Sequence, residues 1–114
     1  MHEFTEIARH TIYEFLDIVD NMSKVSKRKM FWQHLIKTHN LTCPVSKEEV
    51  DHCRYDYCET AKSYHYNFYT KDGKLFTIDH CVPKSKGGKD HTSNIQPMLA
   101  DINFAKGSNM MHTL

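Results

Sequence analysis

The run Ser63-Tyr64-His65-Tyr66-Asn67-Phe68-Tyr69, followed closely by Asp72-Gly73 and a second extended stretch from Lys74 to Asp79, constrains this chain more than any other segment. Alternating aromatic and polar side chains suit a pleated, half-buried surface. Asp-Gly accepts the positive backbone angles of a tight hairpin turn. Two antiparallel strands are therefore expected at the middle of the chain, and the remainder must cover them. Among the surrounding Arg54, Tyr55, Tyr57, Lys62, Tyr64, Tyr66 and Tyr69, the tyrosines read first as building a half-buried sheet face. Stacking on unpaired bases is the competing use of such residues.

At 114 residues the chain has room for one domain with a slim core. We read residues 1–40 as its helical part and 41–114 as its core. Phe4, Ile7, Ala8, Ile12, Phe15, Leu16, Val19 and Met22 recur at steps of three and four, which predicts a helix over residues 3–22. A second helix is expected from Ser26, with Met30, Phe31, Trp32, Leu35 and Ile36 on its apolar side and Asn40 as a stop. Ser46-Lys47-Glu48-Glu49 fits a capping box, predicting one or two helical turns before Cys53. A last helix is expected from about Met98, ended by Gly107. The fold class that follows is α+β, with N-terminal helices packed on a small β-hairpin followed by a helix. The helices would wrap the hairpin, which alone buries too little surface to be stable; they could equally serve a homodimer or a protein partner.

Fifteen basic against fourteen acidic residues exclude a disordered tail or a strongly basic coat protein. A local basic patch still suffices for contact with phosphates. Lys24, Lys27, Arg28 and Lys29 read either as such a patch or as a solvated helix start. No apolar run approaches the length of a membrane span. The segment Met1 to Glu6 lacks the basic start and apolar stretch of a secretory signal, so the expected location is the cytoplasm. The four cysteines are then expected to be reduced.

Residues 76–108 carry the chemistry. Asp79 and His80 end a strand and enter a loop, placing a hard carboxylate beside a titratable imidazole. Successive strand residues point to opposite faces, so the strand must end there for both to serve one site, as Val82-Pro83 encourages. Asn103 lies in the last helix with Lys106 one turn later. A carboxylate and an amide oxygen, completed by water and phosphate oxygens, is how magnesium is usually held. An imidazole outside the metal shell could take a proton from water.

Ile78-Asp79-His80, Pro83, Gly87-Gly88, Ser93-Asn94-Ile95-Gln96-Pro97 and Asn103 to Lys106-Gly107 stand in the order and spacing of the HNH endonuclease motif. The segment resembles that family, whose ββα-metal unit holds one divalent ion. The resemblance implies His80 as general base, Asp79 and Asn103 as metal ligands, and Asn94 as the residue that braces the loop and orients the base. It places Lys106, Lys84, Lys86 and Lys89 toward the phosphate backbone. His91, in the same loop, reads either as a residue that approaches the site or as a solvated loop histidine. The implied reaction is metal-dependent hydrolysis of phosphodiester bonds in DNA, with Mg²⁺ or Mn²⁺ as cofactor and a 5′-phosphate and 3′-hydroxyl as products. A phage or bacterial origin, and so a host-cell cytoplasm, is implied in the same way. A catalytically silent nucleic-acid-binding or assembly module is the second reading.

Many relatives also hold a structural zinc through two Cys-x-x-Cys pairs. Here Leu99 and Ile102 stand at the second pair, Ser46 stands where a partner of Cys43 would, and Cys53 and Cys58 are too widely spaced. A Zn²⁺ site from Cys43, Cys53, Cys58, Cys81, His52 or His65 ranks behind reduced, buried thiols. His65 reads first as a cross-strand packing partner and second as a substrate contact. His2, His10, His34, His39 and His112 show no ligand spacing.

Overall fold

A computed structural model describes residues 3–107. Its centre is one five-stranded antiparallel sheet in the order β1-β2-β3-β4-β5, made by Phe4–His10, His52–Cys58, Ser63–Tyr69, Leu75–His80 and Ile95–Leu99. Three short helices accompany it: α1 (Ile12–Asp20), α2 (Lys27–Lys37) and α3 (Ala100–Lys106). This corrects the expected architecture. The helices do not pack on a small isolated hairpin; strands dominate, and the β3–β4 hairpin is part of one five-stranded sheet.

The first correction lies at the start of the chain. Residues 4–10, read above as helical, form edge strand β1 against β2. Their three-and-four spacing is coincidental, because Ile7, which a helix would bury, is 54% exposed. Ile7 sits at a bulge between the pairs Glu6↔Asp56 and Ala8↔Tyr55. The helix begins only at Thr11. The Thr11 hydroxyl accepts from the Glu14 amide at 3.0 Å and the Glu14 carboxylate accepts from the Thr11 amide at 2.7 Å, a full capping box.

Ser46 does not cap a helix either. Its hydroxyl accepts from the Glu48 amide at 3.2 Å, Lys47 adopts a left-handed backbone angle, and the Cys43 and Glu48 backbones bond at 2.8 Å. Residues 42–49 are thus a tight reversal closed by a Thr42↔Glu49 bridge. At the other end, Ile95–Leu99 pairs with β4 as β5, so α3 starts at Ala100 rather than Met98. Ser26 caps α2 as its position suggests, accepting from the Lys29 amide.

Directly paired residues in antiparallel strands share a face. His10, Cys53, Phe68, Phe76 and Leu99 therefore form one row across all five strands. The helices cover that row. Trp32 of α2 stacks on Phe68 with ring centres 4.2 Å apart, and Phe15 of α1 meets the same ring edge-on at 4.9 Å. Phe15, Trp32, Phe68 and Phe76 are fully buried, with Leu35, Ile36 and Met98 around them.

Phe68 is the ring on which both helices converge, and Trp32 Nε1 finds no acceptor among the described residues. Trp32 is thus held by volume and stacking. Phe68→Ala is expected to cost about 3–5 kcal/mol in urea unfolding, and Trp32→Phe, which keeps an aromatic ring and opens a smaller cavity, less than that.

Candidate functional site

β3 and β4 pair through only Phe68↔Phe76 and Tyr69↔Leu75. Beyond Phe76, β4 leaves β3 and continues with β5 through Thr77↔Met98, Ile78↔Pro97, Asp79↔Gln96 and His80↔Ile95. The strand ends at His80 and the chain turns through Pro83. There Asp79, His80, Lys84, Asn103, Lys106 and their neighbours line one cleft of about 330 Å³. Five of the residues singled out in the sequence as base, ligands and phosphate contacts thus share a cavity, although Asn103 lies more than twenty residues beyond His80.

Asn94 builds the floor of the loop. Its side-chain NH₂ donates to the Val82 and Lys89 carbonyls at 3.0 and 2.8 Å, while its Oδ1 accepts from the Val82 amide at 2.9 Å. This amide satisfies both flanks of the 81–93 loop at once. Gly88 closes the same loop: a Cβ there would lie 1.7 Å from the Val82 carbonyl oxygen.

His80 presents Nε2 to Asp90 Oδ1 at 2.9 Å, and Phe31 meets its ring edge-on. A neutral imidazole facing a carboxylate through Nε2 keeps its proton there, leaving the lone pair on Nδ1. Asp90 also accepts from Lys27 Nζ at 2.8 Å, and Lys84 Nζ stands 3.8 Å away. The Lys27 ammonium, then His80, hold the Asp90 carboxyl down to about 2. Asp90 escaped sequence reasoning because a single loop carboxylate has no spacing to mark it. Lys27 had been placed only in a basic cluster; the structure brings it, with Arg28 and Phe31, to a second cleft bordered by Thr77, Ile78 and His80.

Asp79 is 6% exposed and Lys106 1%, with Lys106 Nζ 2.7 Å from Asp79 Oδ1. Gln96 Nε2 donates to Asp79 Oδ2 at 2.9 Å. Lys106, expected to face phosphate, instead neutralises Asp79 inside the protein. Asn103 donates its NH₂ to Thr77 Oγ1 at 2.8 Å, which leaves its Oδ1 without a hydrogen bond among the described residues. The oxygens of Asp79 and Asn103 suit a divalent ion in kind and border the same cleft as His80. The obstacle is the ammonium already seated on Asp79.

The remaining candidates lie apart. Lys86 and Lys89 are exposed on the loop and do not line the His80 cleft. His91 is exposed and caps the short turn Thr92–Asn94, accepting from the Ser93 amide at 3.1 Å. His65 pairs with Ser63 at 3.0 Å and packs edge-on against Phe4. Tyr55, Tyr57, Tyr64 and Tyr66 spend their rings largely on one another across β2 and β3. Among the described residues no three His, Cys, Asp or Glu side chains converge on a metal position. Cys43, Cys53 and Cys58 are buried, and burial pushes the Cys53 thiol up to about 12, the behaviour of packing residues. A larger cleft of about 570 Å³ between Phe4 and Phe104 includes none of the site residues.

The depressed pKa of Asp90 makes its contribution to stability one that is present above the unfolded carboxyl value of about 4 and lost as pH falls through about 2. Asp90→Asn should lower the thermal midpoint at neutral pH, and the gap from wild type should close on acidification toward that value, as read by circular dichroism melts across pH. Comparison with protein-family models, curated proteins and solved structures finds no match to this chain.

Proposed function

We propose that this protein is an HNH-type endonuclease that hydrolyses phosphodiester bonds in DNA. The observation that carries the reading is the orientation of His80. Its Nε2 is tied to a carboxylate that is ionised at neutral pH, and it borders the cleft shared by Asp79 and Asn103. In that arrangement His80 Nδ1 accepts the proton of the attacking water, and Asp90 stabilises the imidazolium that forms. Asn94 fixes the loop that fixes Asp90, so the base is oriented before substrate arrives. Lys84 at the mouth of the cleft, and Lys27 and Arg28 beside it, supply positive charge for the phosphate backbone. Asp79 and Asn103 are the residues that would hold the Mg²⁺ or Mn²⁺ the family uses; bound there, the ion would supply charge to offset that developing on the phosphate and the leaving 3′ oxygen. The proposed location is the cytoplasm; no described helix is long and apolar enough to cross a membrane.

One observation favours the second reading, a silent nucleic-acid-binding module: the carboxylate assigned to the metal is already paired with Lys106. A cleavage assay separates the two. Purified protein should nick or cut plasmid DNA with Mg²⁺ or Mn²⁺ and stop with EDTA. His80→Ala should lose on the order of 10²-fold or more in rate, the usual contribution of a positioned base. Single-stranded DNA and RNA run in parallel identify the substrate. Binding without cleavage under every metal condition would establish the silent module, and cutting by His80→Ala at the wild-type rate would remove His80 from the mechanism.

A further inference from the structure

Lys106 is the last residue of α3, its ammonium is almost wholly buried, and its one side-chain hydrogen bond among the described residues goes to Asp79 Oδ1. An ammonium has three donors. A buried lysine is retained in such a position only if paired, and here the pair is a single bond at the wall of a cleft that both residues line. Gln96 fixes the other Asp79 oxygen from the neighbouring strand, so the carboxylate cannot turn away to take a second partner. One carboxylate cannot neutralise an ammonium and a divalent ion together, and two cations on one oxygen repel.

We propose that Lys106 is the resident counter-ion of Asp79 and that a divalent cation binds by displacing it. The exchange keeps the buried carboxylate paired in both states. It releases the Lys106 ammonium into the cleft where Lys84 also lies, adding a positive charge there only once metal is bound. Metal affinity is then set by competition within the chain, and removing the lysine charge strengthens it. Asp79 is taken from the metal assignment of the proposed function, but the exchange itself needs no cleavage to be observed. A protein that cuts no substrate can still show it. A protein that cuts DNA but lacks it leaves the nuclease reading standing.

The test is Mn²⁺ titration of the full chain by calorimetry, alongside thermal melts with and without Mn²⁺. Lys106→Met, which keeps the length and loses the charge, should bind Mn²⁺ at least about tenfold more tightly than wild type, within the usual range of coupling between sites. Its thermal midpoint should rise with Mn²⁺ by more than that of wild type. The double variant Asp79→Asn/Lys106→Met removes both charges, should fold, and should lose the Mn²⁺ response. If Lys106→Met is unfolded without metal, recovery of the folded state on adding Mn²⁺ supports the exchange. Equal Mn²⁺ affinity in wild type and Lys106→Met, no rescue of an unfolded Lys106→Met, or a double variant that still responds to Mn²⁺ would each overturn it.

Discussion

The seam between β3 and β4 is two residue pairs long, and the geometry of the site follows from that brevity. Phe68↔Phe76 and Tyr69↔Leu75 anchor β4 beneath the aromatic core. A longer ladder would have held Thr77 to His80 in the middle of the sheet with strands on both sides. Instead β4 parts from β3, pairs with β5, and opens a gap into which α2 sends Arg28. The Arg28 guanidinium donates to the Tyr66 carbonyl at 2.5 Å and to Asn67 Oδ1 at 3.1 Å, satisfying a strand edge that β4 no longer covers. The packing of α2 on Phe68 therefore does two things: it closes the core and brings Lys27, Arg28 and Phe31 to the side of His80.

The parts of the fold legible in the sequence were those with local causes. Asp72-Gly73 turns the chain between β3 and β4, with Gly73 at a positive φ, and Ser26 caps α2. Asn94 donates to the Val82 and Lys89 carbonyls and so ties the two flanks of its loop together. Misreadings arose where a pattern had two solutions. Phe4, Ile7 and Ala8 match a helix, but pairing with the free edge of β2 outweighs that periodicity, and the Thr11-Glu14 box marks the true start. Ser46 and Glu49 match a helix cap, but Lys47 turns left-handed and the chain folds back.

Two carboxylates of the site are neutralised in different ways, and neither is visible in a net charge of +1. Asp90 is reached by Lys27, His80 and Lys84 at a solvent-exposed loop, where exchange of partners is easy. Asp79 is buried at the wall of the cleft and paired with Lys106 and Gln96. An exposed lysine near the end of a helix needs no special explanation, and the motif resemblance implied only that Lys106 faces the phosphate backbone. Only the packing of α3 against β4 and β5 shows its ammonium pointing inward.

The bulge at Ile7 bears on how molecules of this protein meet. It divides β1 into two paired runs of three residues, Phe4 to Glu6 and Ala8 to His10. A bulge bends and over-twists its strand, so the outward amides and carbonyls of β1 do not present a straight ladder to a strand from another copy. The Glu6-Arg9 ion pair beside it adds charge along the same stretch. β1 is therefore a poor template for intermolecular strand addition, and this edge resists the sheet-to-sheet growth that leads to fibres.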